Sequence, residues 1–385
     1  MPLLIYVLTV AIFAQGTSEF MLAGLLTEIA DDLSVSPESV GLLTSAFAAG
    51  MVIGAPTMAM LVSRLPARTS LIGFLVVFIA SHVAGGATDS FSVLLVTRVI
   101  AAFAYAGFLA VALSTARNLV TEDRLTRAIA VMLAGITLAT IIGVPAGAAL
   151  AQLGGWRLTF WAICPLCVPA LLILLFTRAS MTRASAMRPR IRSELRELRR
   201  WPVLGPILLA ALFNAATFGV FTFLGLIGAD AGTPAALVPL LLAAFGIGSF
   251  LGVTATGRWA AGREQKWIGV GGALVSVGWM LMAIFSGSAV WLFALSLIVG
   301  ALSFAVGSAL ISRIVREAEG APLLGGSYAT AALNAGAFIG PIGAGAAYAM
   351  WGGEGVAWLA SAAALCAAVL VLLLRAPGRS TRVVR

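Results

Sequence analysis

Charged side chains are scarce in this chain. Only 10% of its 385 residues are Asp, Glu, Lys or Arg, whereas 61% are apolar. A soluble domain carries roughly 25% charged residues, and soluble cores stop growing at about 250–300 residues. A soluble protein of this size has no interior large enough for so much apolar surface. The composition therefore indicates that lipid surrounds most of these side chains.

Histidine, lysine and cysteine are nearly absent as well. The chain has one His (His82), one Lys (Lys266) and three Cys. Cys164 and Cys167 form a CxxC inside an apolar run, with no second pair or His beside them. We interpret them, like Cys366, as packing thiols rather than a metal or redox site. So few reactive groups predict no enzyme, no metal and no organic cofactor.

The net charge of +9 does not predict a nucleic-acid partner. Nucleic-acid binding needs a basic patch on a folded surface. Here the cations occupy short spacers between apolar runs, as in membrane proteins.

Twelve apolar runs are long enough to cross the ~30 Å hydrocarbon core of a bilayer. The predicted spans are Leu3–Leu26, Ser39–Val62, Ser70–Ala87, Phe91–Ala116, Ala128–Leu153, Leu158–Phe176, Leu204–Gly228, Ala235–Thr256, Trp267–Phe285, Val290–Ser312, Leu323–Met350 and Val356–Leu374. The first run is longer than the apolar part of a signal peptide and is predicted to be retained. We therefore predict an all-α membrane protein with twelve transmembrane helices.

The basic residues predict the orientation of these helices. Of the 24 Lys and Arg residues, Arg98 lies within a predicted helix. If both termini are cytoplasmic, only Arg157 falls in an outer spacer, which leaves 22 on the inner side. Cytoplasmic loops of membrane proteins carry such an excess of Lys and Arg. The expected location is the inner (cytoplasmic) membrane, with both termini inside.

A long basic segment divides the chain into similar halves. We predict a six-helix bundle over residues 1–177, a cytoplasmic linker over 178–203, a second six-helix bundle over 204–375 and a cytoplasmic tail over 376–385. The halves match at an offset of 198, in a pattern that includes Ala46-Phe47, Gly50 and Gly54 against Ala244-Phe245, Gly248 and Gly252. Pseudo-symmetric six-helix halves are typical of major facilitator transporters.

Two ionisable residues of opposite sign, Glu19 and Arg98, are predicted to lie inside the membrane. A charge at a helix centre costs roughly 2.5–3.5 kcal/mol or more unless it is compensated. Counted along their helices, both lie ~10 Å below the outer surface, so they can meet if the two helices line one cavity. Either Glu19 binds the transported proton, with Arg98 tuning it, or the two form a static ion pair. His82 is interpreted as an interfacial side chain near the outer end of its helix.

Polar and aromatic residues inside the helices are the candidate substrate contacts. Asn214 and Thr217 share a helix face that continues to Phe218 and Phe221, and such a surface suits an amphiphilic, ring-containing solute. Helix packing is the competing interpretation for the polar members. The full candidate set is Gln15, Tyr105, Asn214, Thr217, Phe218, Phe221, Tyr328 and Asn334.

Several segments resemble drug/proton antiporters of the major facilitator superfamily, in particular the chloramphenicol-resistance exporters. The segments are Gln15–Leu26 (QGTSEFMLAGLL), Ala106–Thr115 (AGFLAVALST), Gly155–Trp161 (GWRLTFW), Ser303–Ser308 (SFAVGS) and Gly326–Asn334 (GSYATAALN). The resemblance implies a twelve-helix rocker-switch fold and assigns Arg98 to the helix 4 motif linked to proton transfer. It also places Gly143, Pro145 and Gly147 in the antiporter motif of helix 5, a bend that lets the halves approach closely.

The loop motif after helix 2 departs from the family pattern. The resemblance places Arg64 and Arg68 in it, but Ser63 replaces the usual acid and Pro66 a glycine. The corresponding loop of the second half also lacks its acid, at Ala261. The charge lock of the relatives is therefore not expected here in its usual form.

The expected function is proton-coupled efflux of small amphiphilic antibiotics, with chloramphenicol the leading substrate and Glu19 the proton carrier. Export of sugars or another endogenous metabolite is the alternative, and import by symport is less favoured. A receptor is not expected because no spacer is long enough for a soluble signalling domain. The expected partners are a small-molecule substrate, protons and the lipid bilayer, and the expected state is a monomer.

Overall fold

The architecture, taken from a computed structural model, is helical throughout the residues that the structure describes, which are 2–62, 66–176, 194, 196–260, 263–321 and 325–373. The α-helices are α1 (Leu3–Phe20), α2 (Leu26–Leu33), α3 (Pro37–Val62), α4 (Ala67–Ala87), α5 (Phe91–Leu119), α6 (Glu122–Leu138), α7 (Val144–Gly154), α8 (Trp156–Phe176), α9 (Trp201–Asp230), α10 (Val238–Trp259), α11 (Glu264–Ile284), α12 (Ala289–Glu317) and α13 (Gly325–Leu373). Short 3₁₀ segments follow α1 and precede α10, and a π-helical turn, Ala139–Gly143, joins α6 to α7.

The last helical run, α13, contains two membrane crossings. It has 49 residues, and at ~1.5 Å per residue it is more than twice as long as the ~30 Å hydrocarbon core is thick. The run breaks at Gly352, whose φ is 65°, a left-handed value that favours glycine. With this break, and with α6, the π-turn and α7 counted as one crossing, the described residues cross the membrane twelve times. The predicted fold class is confirmed.

The first predicted span is shorter than expected. The sequence predicts one helix over Leu3–Leu26, whereas α1 ends at Phe20, and Met21–Gly24 tightens into a 3₁₀ turn. A methyl group at Gly24 would lie 2.6 Å from Cβ of Ala148, so helix 5 crowds the chain at this point. Glu19 therefore occupies the last turn of α1 rather than a position well inside a longer helix.

Ion pairs and hydrogen bonds join the loops at each end of the molecule. At one end, the Asp32 face, Arg157 bonds to Asp32 and lies 2.5 Å from Asp89. The hydrogen bond from Arg157 lowers the pKa of the Asp32 carboxyl, and a second one from Trp156 adds to the effect. At the other end, the Arg68 face, Nε of Arg68 donates to the Leu174 carbonyl oxygen at 2.8 Å. Each set of contacts brings together loops that an alternating twelve-helix topology places on the same side.

The repeat seen in the sequence also appears in the packing. A methyl group at Gly50 would lie 2.7 Å from Cβ of Ala102, so α3 packs closely on α5. At the matching position of the second half, a methyl group at Gly248 would overlap the Leu297 carbonyl, so α10 packs equally closely on α12. Glycine thus gives both halves the same close helix pair.

The two bundles press together in the half of the membrane nearer the Asp32 face. Gln152 of α7 donates to the Ala235 carbonyl oxygen at 2.6 Å. A methyl group at Gly41 would lie 2.8 Å from the Phe223 ring, and one at Gly225 would lie 2.7 Å from the Ala23 carbonyl oxygen. The seam between the bundles is therefore closed on this side.

The central linker is described only in part. Residues 178–193 and 195, which include most of the predicted linker, lie outside the described residues, as does the predicted tail over 376–385. The helix after the linker begins at Trp201, three residues before the predicted Leu204.

Candidate functional site

Glu19 faces a cavity on the seam between the two bundles. The cavity is tightly packed and is lined by Glu19, Phe20, Ala23, Thr44, Phe218, Phe221 and Thr222. The first four residues belong to the first bundle and the last three to α9 of the second. The carboxyl therefore lies where a relative movement of the bundles changes its surroundings.

Hydroxyl and aromatic groups complete this seam cavity. The hydroxyls of Thr44 and Thr222 are buried and have no protein partner. The rings of Phe20 and Phe218 lie 5.6 Å apart between centroids, and Phe221 packs 6.1 Å from Phe218. An acid, free hydroxyls and aromatic rings together suit an amphiphilic solute. The lining side chains leave no room even for a water molecule, so the two bundles must separate here to accept a drug-sized ligand.

Arg98 does not form the static ion pair with Glu19 that is one of the two alternatives left open by the sequence. Its side chain is 1% exposed and donates through Nη1 to Oγ of Ser18 and through Nη2 to the Ser18 carbonyl oxygen, both at 2.8 Å. The guanidinium also lies 4.4 Å above the centroid of the Phe47 ring. Depth matching along the two helices correctly predicted that α1 and α5 meet here. It could not show that the neighbouring Ser18, rather than Glu19, accepts the hydrogen bonds.

His82 is a functional candidate that sequence reasoning set aside. It is 1% exposed, and its Nε2 lies 2.6 Å from Oγ of Ser18, which also accepts from Arg98. Its Nδ1 donates to the Phe78 carbonyl oxygen at 2.8 Å. His82 is thus satisfied by hydrogen bonds near the outer end of its helix, as interpreted from the sequence, but its ring is buried within the bundle. Its depth, similar to that of Glu19, was a signal in the sequence, but its direction toward Ser18 was not.

Two candidate residues lie inside the first bundle near this cluster. Gln15, one turn before Glu19 on α1, is fully buried, and neither atom of its amide has a protein partner. The Tyr105 ring lies 6.3 Å from the Phe47 ring, which also stacks on Arg98. Both candidates therefore lie next to the Glu19 region, on the side nearer the Arg68 face.

The polar candidates of the second bundle are committed to other helices or to their own backbone. Asn214 donates to the Leu333 carbonyl oxygen at 2.6 Å and so joins α9 to α13. Thr217 bonds to the Phe213 carbonyl, and Asn334 to the Thr330 carbonyl, each one turn back on its own helix. These contacts favour the helix-packing interpretation, whereas Phe218 and Phe221 line the seam cavity.

Tyr328 lies far from the seam cavity. It is in the first turn of α13, and its hydroxyl donates to the Glu194 carbonyl oxygen at 2.7 Å. It does not line the seam cavity, and its place in the candidate substrate set stays a prediction. It attaches the end of the linker to the second bundle, on the Arg68 face.

The motif glycines of helix 5 pack within their own bundle. A methyl group at Gly143 would overlap Thr17 of α1, and one at Gly147 would lie 3.1 Å from Cγ2 of Thr159 on α8. Pro145 lies in the first turn of α7. Closeness to the second bundle comes instead from Gly246, where a methyl group would overlap the Thr140 carbonyl oxygen. Helix 5 does lie at the seam, through the π-turn that ends at Gly143, and the role of the motif glycines in the approach of the halves stays a prediction.

The loop motif is only partly described. Ser63, Arg64 and Ala261 lie outside the described residues. Arg68 bonds to the Leu174 and Leu175 carbonyl oxygens at the end of α8, which is a contact inside the first bundle. Over the described part of the chain, no group of three or more His, Cys, Asp or Glu side chains could hold a metal.

Comparison with known proteins identifies relatives of the whole helical body. A sequence model of the Major Facilitator Superfamily matches residues 8–322. The chain is 49% identical to the chloramphenicol resistance protein of Streptomyces lividans over 345 residues, which are 89% of this chain and 88% of that protein. It is 32% identical to the inner membrane transport protein YdhP of Escherichia coli (strain K12) over 346 residues, 88% and 87% of the two chains.

The fold also matches a solved structure. A bacterial homolog of the human lysosomal transporter Spinster, in an inward-facing and occupied conformation, aligns with a TM-score of 0.75 at 19% identity. The alignment covers 96% of this chain and 95% of that one. At this identity the match concerns the fold alone.

Proposed function

Because the chain belongs to the Major Facilitator Superfamily, we propose that it exports chloramphenicol and related amphiphilic antibiotics in exchange for protons. It is a multi-pass membrane transporter and not an enzyme. The observation that carries the proposal is the Glu19 carboxyl, which faces a cavity built from both bundles and lined by aromatic rings. The relative named for chloramphenicol resistance supports the substrate class.

The orientation follows from the arginine distribution. Because Lys and Arg concentrate in cytoplasmic loops, we assign the Arg68 face to the cytoplasm and the Asp32 face to the outside. With the seam closed on the Asp32 side, the conformation described here is closed to the outside. This assignment places both termini in the cytoplasm.

In the exchange cycle, Glu19 is protonated while the transporter returns without drug and deprotonated while drug is bound. In the outward-facing state, the carboxyl takes a proton from outside. The neutral carboxyl can then be enclosed in the apolar seam at low cost when the bundles close on the Asp32 side. In the inward-facing state, cytoplasmic drug enters the widened cavity and favours the deprotonated form. Proton release to the cytoplasm followed by outward rocking completes one exchange.

Export can be tested in a chloramphenicol-sensitive host that expresses the chain. We expect resistance and low drug accumulation, and we expect a protonophore to restore accumulation because it removes the proton gradient. Persistence of export after protonophore treatment would contradict proton coupling. Competition by sugars but not by chloramphenicol in the same cells would favour the alternative, an exporter of endogenous metabolites.

The aromatic lining predicts a specific loss of drug affinity. Phe218→Ala removes a ring that lines the cavity and packs on Phe20. An aromatic contact is worth about 1.5 kcal/mol, so the drug concentration for half-maximal export should rise about tenfold. Phe250→Ala is the matched control, because Phe250 is exposed on the outer surface of α10. Equal effects of the two substitutions on the half-maximal concentration would show that Phe218 does not contact the drug.

A further inference from the structure

We propose that Ser18 and His82 are positioning residues that hold the Arg98 guanidinium away from the Glu19 carboxyl while the seam is closed on the Asp32 side. This inference rests on the proposed function, in which Glu19 carries the coupled proton. It also gives a role to the single histidine of the chain, which the exchange cycle above does not use.

The hydrogen bonds around Ser18 allow one consistent arrangement of protons when His82 is neutral. The Phe78 carbonyl can only accept, so Nδ1 of His82 carries the proton. Nε2 then offers a lone pair, to which the Ser18 hydroxyl donates at 2.6 Å. The Ser18 oxygen in turn accepts from Nη1 of Arg98 at 2.8 Å. His82 thereby points the Ser18 hydroxyl hydrogen away from Arg98 and leaves the oxygen free to accept.

Arg98 has two competing sets of acceptors at this point. The Ser18 hydroxyl and carbonyl oxygens hold both of its terminal nitrogens. Glu19 is the next residue along α1, and no salt bridge of the described residues joins its carboxylate to Arg98. Nε of Arg98 is buried without a partner. A guanidinium released from Ser18 would then be free to turn toward the Glu19 carboxylate.

The charged groups near His82 are few, which makes its effect on Arg98 direct. Arg98 approaches from α5 and Glu19 belongs to α1, while α8 places the Phe160 ring 5.8 Å from the imidazole. Cys164, also on α8, bonds to the Ile79 and Phe160 carbonyls instead. A second proton on His82 would put a cation beside Arg98 and remove the acceptor that orients Ser18, so the neutral ring suits the observed geometry.

Loss of this arrangement should change the pH at which Glu19 releases its proton. If Ser18 no longer accepts, Arg98 is free to pair with the Glu19 carboxylate, and a paired carboxylate holds its proton less tightly. A hydrogen bond to a charged group is strong enough to move this release by about one pH unit. Proton release would then shift to lower pH.

The test is proton release on addition of chloramphenicol to the purified protein, measured across a pH series. We expect Ser18→Ala and His82→Phe each to move the midpoint of release about one pH unit lower. His82→Gln should stay close to the unmodified protein, because its amide oxygen can accept from Ser18. The double variant Ser18→Ala/His82→Phe should shift no further than the larger single shift, because both substitutions act through one hydroxyl.

Ser81→Ala is the matched control, because its hydroxyl bonds only to the Val77 carbonyl one turn back on the same helix. Its midpoint should not move. If Ser18→Ala keeps the original midpoint, the proposal is overturned whatever happens to His82→Phe. Additive shifts in the double variant would also overturn it.

A Glu19→Gln variant separates this inference from the function on which it rests. Drug-induced proton release that persists in Glu19→Gln would overturn the proposed coupling at Glu19 itself. Loss of release in Glu19→Gln, together with an unchanged midpoint in Ser18→Ala, would overturn only the positioning role.

Discussion

Replacement of Glu19 by Gln should abolish proton-driven export while leaving the fold intact. Gln has nearly the shape of Glu but cannot titrate, so the seam cavity keeps its lining and loses its proton carrier. Without a proton to release, the drug cannot be driven against its gradient. We expect uphill efflux from energised vesicles to fall to background, and drug-induced proton release from the purified protein to disappear.

The control for this substitution is Glu28→Gln. Glu28 lies in α2, beyond the first membrane crossing on the Asp32 face, and burial raises the pKa of its carboxyl. It differs from Glu19 in that it is not among the residues lining the seam cavity. Export by Glu28→Gln should therefore match the unmodified protein. Uphill efflux retained by Glu19→Gln would show that another group carries the proton.

Gly246→Val should prevent closure of the seam and stop export. Gly246 of α10 lies against the backbone of Thr140 and Ile141, where even a methyl group would overlap the Thr140 carbonyl oxygen. Backbone cannot move aside as a flexible side chain can, so the bundles must separate on the Asp32 side. Overpacking costs about 1–3 kcal/mol, which lowers the ratio of closed to open molecules roughly 5- to 150-fold.

Closure can be measured by cross-linking across the seam. Cysteines introduced at Gln152 and Ala235, which are hydrogen-bonded across the closed seam, would be joined by a short bifunctional reagent after the native cysteines are replaced. We expect a high yield in the otherwise unmodified protein and a clearly lower yield with Gly246→Val, because fewer molecules hold the closed seam.

The matched control is Gly257→Val on the same helix. A methyl group at Gly257 would meet no atom within 4 Å, so cross-linking and export should both be retained. An equal loss of cross-linking in the two variants would indicate general damage to α10. Normal export by Gly246→Val would show that the contact with Thr140 is not needed for the cycle.

Much of the fold could be predicted from the sequence because a bilayer constrains helices strongly. Each crossing needs about 20 apolar residues, and the long apolar runs supply them. The boundary that failed has a local cause, because helix 1 ends early where Gly24 packs closely on Ala148. The break between the last two crossings lies at Gly352, between the two predicted spans.

The sequence predicted several residues of the site but not which of them contact each other. Glu19 and Arg98 were singled out because they lie inside long apolar runs of the sequence. The structure places them on adjoining helices, with Arg98 bonded to the residue next to Glu19. The structure places Tyr328 at the linker instead of the cavity, because the direction of a polar side chain on a buried helix has no signature in sequence periodicity. His82 was set aside for the same reason.

The sequence by itself determined that this protein lies in a membrane, how often it crosses and which acid is stranded among apolar side chains. These conclusions depend on the cost of transferring polar groups into hydrocarbon, which is a property of each residue and its neighbours along the chain. Only the tertiary structure decided that Glu19 faces the seam, that Arg98 bonds to Ser18 and that His82 orients that serine. Those facts depend on the rotation of each helix about its axis, which is set by close packing at glycines such as Gly50, Gly246 and Gly248.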